Sequence, residues 1–180
     1  MNISAQDILD FWFVECTPKQ WWIKEMSFDE TIRQRFLTVH QAAVKGELSG
    51  WRKTAEGRLA EIIVLDQFSR NLYRNDPRAW RYDGMALILA QEAIACGDDQ
   101  RLTAGQTFLY MPFMHSESPL IHEQSIALFS QPGLANNLDF AHKHKIIIDR
   151  FGRYPHRNAV LGRESTAEEL EFLQQPNSSF

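Results

Sequence analysis

Helical spacing of apolar residues runs through the whole sequence, and cap residues mark the start of one helix after another. No segment alternates apolar and polar residues as a half-buried strand does, and no Asn-Gly or Asp-Gly turn joins two such segments. The pattern predicts an all-α chain of about eight helices without an internal linker. With 180 residues, the chain fits a single helical domain over residues 1–180.

Prolines, glycines and capping residues set the expected helix boundaries. The first helix, over 5–14, begins with a capping box of Ser4 and Asp7. The last helix begins with a capping box of Thr166 and Glu169. The other helices are predicted from Ser27 to about Lys45, over about 55–71, from Asp76-Pro77 to Gly97, over 104–110, from Ser118-Pro119 to Pro132-Gly133, and from Asn136 or Asn137 to Phe151. The expected core includes Leu59, Ile62, Ile63, Ile147, Ile148 and Phe151. Short connections favour antiparallel helix pairs, so a bundle and an irregular array of helical hairpins both fit.

Charge and hydropathy exclude several classes of protein. The net charge of −4 argues against general nucleic-acid binding, which needs an electropositive surface. The longest apolar run, 85–90, is too short to span a membrane. The first residues lack the basic region of a secretory signal, so a cytoplasmic protein is expected. Cys16 and Cys96 lack the spacing of a disulfide framework and are expected to be buried free thiols.

The segment that follows the seventh predicted helix concentrates polar chemistry on a short turn. Gly152 and Pro155 interrupt the helical pattern there. The polar residues of the segment are Arg150, Arg153, His156, Arg157 and Asn158. Arginine forks and an imidazole on a constrained turn are suited to holding a carboxylate or phosphate. The segment therefore predicts a basic pocket for a small anion in an otherwise acidic protein.

Other polar residues lie on apolar stripes or between helices. Asp66 lies on the same helix face as several apolar residues, and Arg70 follows one turn later. Asp66 could therefore form a structural ion pair or belong to a functional site. His144 lies on an apolar face and is expected to be a core histidine with one hydrogen bond. His115 and Glu117 are expected on a loop, where they could contact a ligand, transfer a proton, bind a metal or cap the next helix.

Motifs of several enzyme classes are incomplete or absent. His122-Glu123 begins a zinc-protease motif, but Ile126 stands where the second histidine would be. His115-x-Glu117 resembles part of the zinc-deaminase motif, but no Pro-Cys-x-x-Cys follows it. The chain contains no P-loop, no GxGxxG and no GxSxG. We therefore predict no metal site and no cofactor.

Four longer segments resemble a known family. They are DFWF at 10–13, LDQFSRN at 65–71, FLYMPFMHSE at 108–117 and RFGRYPHRN at 150–158. The resemblance is to the bacterial domain of unknown function 924 family, and it extends from about residue 7 to the end of the chain. It implies a tetratricopeptide-repeat-like fold, in which antiparallel helix pairs form an irregular array. It implies no particular reaction, substrate or cofactor.

The first functional hypothesis is a pocket that binds a small carboxylate or phosphate. Its expected catalytic residues are His115, His156 and Asp66. Its expected ligand-binding residues are Arg70, Asn71, Glu117, Arg150, Arg153, Arg157 and Asn158. Counting Arg163, five arginines face the three carboxylates of Asp66, Glu117 and Asp149, which favours an anionic ligand. Hydrolysis or isomerisation of a phosphorylated or carboxylated metabolite would fit.

The second hypothesis is a non-catalytic module that binds a peptide or protein partner in a groove, as helical-repeat-like folds do. In a third interpretation, the polar clusters only hold helix ends together. The sequence does not decide whether the chain is an enzyme, and it leaves the oligomeric state open.

Overall fold

The structure, a computed structural model, describes residues 3–102 and 104–179. All regular secondary structure in these ranges is helical, which confirms the all-α prediction. The α-helices are α1 (Ala5–Asp10), α2 (Met26–Ala43), α3 (Ala55–Ile63), α4 (Ser69–Leu72), α5 (Asp83–Ala95), α6 (Gln106–His115), α7 (Pro119–Phe129), α8 (Ala135–Phe151), α9 (Asn158–Leu161) and α10 (Ala167–Leu173). The tetratricopeptide-repeat-like arrangement of these helices remains a prediction. Within the described ranges, none of the helices is long and apolar enough to cross a membrane.

Two of the helices contain a wider π-helical turn. The segment Phe11–Glu15 continues α1, and the segment Val64–Phe68 joins α3 to α4. Short 3₁₀ turns cover Ser49–Lys53, Pro77–Ala79, Asp98–Gln100 and Pro155–Arg157. Such π-helical turns are rare and often lie at functional sites.

Several predicted helix ends are confirmed. Ser4 and Thr166 both form the expected capping boxes with the residue three positions later. Thr54 caps α3 through the backbone N–H of Gly57. Gly97 and Gly152 end their helices in the left-handed conformation, with φ of +76° and +69°.

Three predicted boundaries are wrong. Ser27 does not cap α2, because its hydroxyl donates to the carboxylate of Glu25 and the helix already begins at Met26. The predicted helix from Asp76-Pro77 to Gly97 is divided into a 3₁₀ turn and α5, which begins only at Asp83.

The third error concerns α6, which continues through Pro112 to His115 instead of ending before the proline. A proline inside a helix removes one backbone hydrogen bond and costs about 3 kcal/mol. Burial of the surrounding side chains offsets that cost, since those of residues 108–111, 113 and 114 are all buried. His115 therefore ends a helix and does not lie on the predicted loop.

The described residues separate into two compact units. Unit 1 contains residues up to 74 and 78–112, and unit 2 contains residues 75–77 and 113 onwards. Compact units can be parts of one domain, so the single domain over 1–180 remains a prediction.

Unit 1 has an aromatic core. The Phe36 ring lies 4.8 Å from Phe11 and 5.2 Å from Phe68, and Trp12 meets Phe68 edge-on at 5.6 Å. All four side chains are buried. The predicted core residues Leu59, Ile62 and Ile63 are buried as well. The abundance of large aromatic residues in the sequence thus builds a core in this unit.

The core of unit 2 forms around α8 and the turn after it. Ile147, Ile148 and Tyr154 form a buried cluster, as predicted for the two isoleucines. Phe151 is only half-buried at the edge of this cluster, where its ring lies 5.1 Å from Phe172.

Both cysteines are free, but only Cys16 is buried. The prediction of two buried thiols is therefore wrong for Cys96, which is exposed just after the last residue of α5.

Candidate functional site

The turn from Gly152 to Asn158 is short and shaped, as the sequence indicated. Gly152 ends α8, residues Pro155–Arg157 make one 3₁₀ turn, and α9 begins at Asn158. This path buries Tyr154, which is only 1% exposed. Tyr154 donates from its hydroxyl to the carbonyl oxygen of Met114 at 2.6 Å, and from its backbone N–H to Oε1 of Glu117 at 2.7 Å.

Imidazole rings surround Tyr154. The ring centroids of His156, His144 and His122 lie 5.5, 5.8 and 6.2 Å from that of Tyr154. His115 is buried, and its charge would act on both His122 and His144. Four histidines of unit 2 thus belong to one group of residues.

Arg157 and Arg163 add two guanidinium groups to the residues around Tyr154. Arg157 is 6% exposed, lies 4.5 Å above the Tyr154 ring and donates to the carbonyl oxygen of His115 at 3.1 Å. Arg163 binds both carboxylate oxygens of Glu117, at 2.6 and 2.9 Å. The name Tyr154 site is used below for Tyr154, His115, Glu117, His122, His144, His156, Arg157 and Arg163.

Glu117 is ionised in this setting. Its burial would raise the pKa of the carboxyl group. The hydrogen bonds from Arg163 and from the backbone of Tyr154, with the charge of Arg157, outweigh burial and hold the pKa below its usual value. Two guanidinium groups therefore act on one carboxylate.

Burial keeps two of the imidazoles neutral. It lowers the pKa of His144 to about 3 and also lowers the pKa of His122. Nδ1 of His144 lies 2.7 Å from the carbonyl oxygen of Phe140, and Nε2 of His122 lies 2.8 Å from that of Ser116. A carbonyl oxygen only accepts, so these nitrogens carry the proton. His144 is thus the core histidine that the sequence predicted.

Nδ1 of His122 is consequently a bare acceptor, and within the described ranges it has no hydrogen-bond partner. The hydroxyl of Ser125, one turn later on the same buried face of α7, has none there either. Such atoms are uncommon in folded proteins, where a water or a ligand group often satisfies them.

Arg150 and Arg153, predicted as ligand-binding residues, form ion pairs with α10. Arg150 binds the exposed Glu168 at 2.8 Å. Arg153 binds both oxygens of Glu169, at 2.6 and 2.8 Å, and this pairing lowers the pKa of Glu169 to about 2. Asn158 also donates to Glu169, at 3.2 Å. These contacts hold the end of α8 and the turn that follows it against α10.

The predicted count of five arginines against three carboxylates is therefore wrong. It omitted Asp83, Glu168 and Glu169, which pair with Arg70, Arg150 and Arg153. It also included Asp149, whose carboxylate pairs with Lys145. Partners distant in sequence cannot be counted before the fold is known. Arg157 and Arg163 both act on Glu117.

In unit 1, Asp66 lies in the π-helical segment Val64–Phe68 and is 1% exposed. Gln67 donates to its Oδ2 at 2.6 Å, and Nη1 of Arg70 lies 3.4 Å from its Oδ1. Arg70 also donates to both oxygens of Asp83 at 3.0 Å. Asn71 donates to Asp29 at 2.8 Å. The name Arg70 network is used below for Arg70, Asp66, Gln67 and Asp83.

The structure groups His115, Glu117, His156 and Arg157 of the predicted site residues around Tyr154. The prediction that Asp66 and Arg70 line one cavity with them remains a prediction. Among the residues that the structure describes, no group of three or more His, Cys, Asp or Glu side chains could hold a metal ion.

Tyr154 and His122 were missed as members of a site by reasoning from the sequence. Tyr154 stands inside the arginine-rich turn, where an aromatic residue gave no signal of its own. His122 was considered only as a zinc ligand. Its position on the stripe of α7 that also carries Ser125 and Phe129 could have indicated a buried polar group.

Comparisons with known proteins agree with this fold. A solved structure of a protein of unknown function from Agrobacterium tumefaciens is 39% identical to this chain and superposes with a TM-score of 0.91. The match covers 96% of this chain and 97% of that protein. No curated protein sequence matches the chain. Residues 8–177 match the family described as bacterial protein of unknown function (DUF924). The chain therefore belongs to the DUF924 family.

Proposed function

We propose that the Tyr154 site binds a small anionic ligand, a carboxylate or a phosphate. The observation that carries this proposal is the grouping of the Arg157 and Arg163 guanidinium groups with imidazole rings around Tyr154. The neutral imidazoles of His122 and His144 add no charge. Guanidinium groups present paired N–H donors that match a carboxylate or a phosphate, and an anion that binds there would compete with Glu117.

The same site holds groups that transfer protons. His115 and His156 are the proposed general acid and base, because the His156 ring lies 5.5 Å from that of Tyr154 and Arg157 donates to the backbone of the buried His115. An anion bound at Arg157 would bring its neighbouring atoms to these rings. Hydrolysis or isomerisation of a phosphorylated or carboxylated metabolite is the class of reaction that this combination supports.

The proposal predicts opposite effects of two substitutions on anion binding. Glu117→Gln removes the carboxylate that competes for Arg163 and should tighten binding of phosphate or of a small carboxylate. Replacing Arg157 with Gln should weaken the binding of both. Arg150→Gln is the matched control, because Arg150 lies in an exposed ion pair outside the site.

Thermal unfolding with inorganic phosphate, sulfate and a panel of small carboxylates measures these effects. A ligand at a hundred times its Kd raises stability by about 2.7 kcal/mol, which is visible as a higher Tm. If no anion shifts the wild-type Tm, or if Glu117→Gln and Arg157→Gln respond as the control does, the proposal is wrong. A shift produced only by peptides that end in a free carboxylate would instead support the non-catalytic module.

A further inference from the structure

Two buried polar side chains of α7 each keep one unsatisfied atom among the residues that the structure describes. His122 and Ser125 are both 0% exposed, and they lie one turn apart on the face of α7 that also carries Phe129. Neither Nδ1 of His122 nor Oγ of Ser125 has a hydrogen-bond partner within the described ranges. The two atoms therefore do not hydrogen bond to each other either.

The Nδ1 atom of His122 can only accept a hydrogen bond. Nε2 of the same ring lies 2.8 Å from the carbonyl oxygen of Ser116 and 3.3 Å from the hydroxyl oxygen of Tyr154. Because the carbonyl oxygen cannot donate, the proton of the neutral ring is on Nε2. A group that satisfies Nδ1 must therefore bring a proton of its own.

The hydroxyl of Ser125 has a proton to donate. Three other hydroxyl groups in or at the end of helices, those of Thr31, Ser69 and Ser130, donate to the carbonyl oxygen four residues earlier, at 2.9, 2.6 and 2.6 Å. The Ser125 hydroxyl does not form this bond, since its Oγ has no partner in the part of the chain that the structure describes. Its proton is therefore not used by the backbone of α7.

The spacing of these two side chains fits one water molecule. Residues three positions apart on a helix have Cβ atoms about 5–6 Å apart. Two hydrogen bonds of about 2.8 Å each allow a water oxygen to join atoms up to about 5.6 Å apart. A water can accept from one side chain and donate to the other at the same time, and buried waters in proteins typically satisfy polar groups of this kind.

We propose that α7 holds one buried water molecule, which accepts a hydrogen bond from Oγ of Ser125 and donates one to Nδ1 of His122. This bond fixes the proton of the ring on Nε2, where it binds the carbonyl oxygen of Ser116 and faces the hydroxyl oxygen of Tyr154. Ser125 thereby acts as a positioning residue for the Tyr154 site. The proposal concerns how this site is held together, and it is independent of the anionic ligand.

A crystal structure of the full chain at high resolution tests the water directly. Its oxygen should lie within about 3.2 Å of both Oγ of Ser125 and Nδ1 of His122. Ring ¹⁵N chemical shifts in solution test its effect: the wild type should show one tautomer of His122, and Ser125→Ala should show a mixture of two. Ser130→Ala is the matched control, because the Ser130 hydroxyl is exposed and donates to the carbonyl oxygen of Ile126, so it should leave the tautomer unchanged.

Urea unfolding gives a second test, in which the sign of the effect decides. With the water bound, Ser125→Ala breaks a hydrogen bond and should raise the equilibrium constant for unfolding by about fivefold. Without the water, the same substitution removes an unsatisfied buried hydroxyl and should lower that constant. His122→Gln removes Nδ1 and should reduce the effect of Ser125→Ala, because both side chains bind the same water.

Three results would each overturn the proposal. The first is a crystal structure in which Ser125 and His122 bind each other directly or have no water between them. The second is a Ser125→Ala protein that is as stable as the wild type or more stable, or that keeps a single tautomer of His122. The third is an effect of Ser125→Ala that is the same with and without His122→Gln.

Discussion

Arginine meets carboxylates in both units, but the groups around them differ. In the Arg70 network, the guanidinium contacts Asp66 and Asp83, and the neutral Gln67 donates to Asp66. In the Tyr154 site, Arg157 and Arg163 both act on Glu117, and imidazole rings lie around Tyr154. A buried carboxylate held by an arginine and an amide is typical of a structural element. Guanidinium groups beside imidazoles are typical of a binding site for an anion.

The largest effect expected from this comparison is the loss of stability in Arg70→Met. This substitution removes a cation from the buried Asp66, and breaking such a buried pair typically costs about 3–5 kcal/mol. Urea unfolding measures the loss. Arg101→Met is the control within unit 1, because its side chain is 67% exposed and lies 3.9 Å from Asp98. A stable Arg70→Met protein that no longer responds to anions would place Arg70 in a binding site instead.

A smaller loss is expected for Tyr154→Phe. The hydroxyl of Tyr154 donates to the carbonyl oxygen of Met114 inside unit 2, and its removal leaves that oxygen buried and unsatisfied. The cost is about 1–3 kcal/mol in the free energy of unfolding. Tyr82→Phe is the control, because among the described residues the Tyr82 hydroxyl has no hydrogen bond and its ring meets that of His40 edge-on. Equal stability of both variants would contradict the role of the Tyr154 hydroxyl.

Each unit also buries a neutral histidine, which predicts a common dependence on pH. Burial lowers the pKa of His40 in unit 1 to about 4 and that of His144 in unit 2 to about 3, from a model-peptide value near 6.5. Below pH 6.5 the unfolded chain binds more protons than the folded one, so stability falls as the pH falls. Each histidine contributes up to about 1.4 kcal/mol per pH unit in this range.

Urea unfolding between pH 7.5 and 5 measures this effect above the range in which model-peptide carboxylates titrate, and His122, whose pKa burial also lowers, adds to the slope. His40→Asn and His144→Asn should each make the dependence on pH shallower, and the double substitution should make it shallower still. An unchanged slope in His144→Asn would show that the ring is not held neutral.

Much of the fold followed from the sequence, because helix caps are local. The capping box of Thr166 and the end of α8 at Gly152 depend on neighbouring residues, and both were predicted correctly. The continuation of α6 through Pro112 depends on the burial of its own side chains by residues from elsewhere in the chain, and a local pattern does not contain those residues. The same limit applied to the site: the turn at 152–158 was found from its residues, whereas the partners of Arg150 and Arg153 lie about 16 to 18 positions away.

The smallest expected effect is that of Arg150→Gln, which tests most directly whether the anion binds at the Tyr154 site. Arg150 was predicted to bind ligand, but its side chain is 42% exposed and pairs with Glu168, which is 60% exposed. Exposed ion pairs contribute about 0–1 kcal/mol, so unfolding in urea should change by less than about 1 kcal/mol. The anion response of Arg150→Gln should equal that of the wild type, because Arg150 is not part of the Tyr154 site. A weakened response in Arg150→Gln alone, with Arg157→Gln unaffected, would move the anion from Arg157 and Arg163 to the surface between α8 and α10.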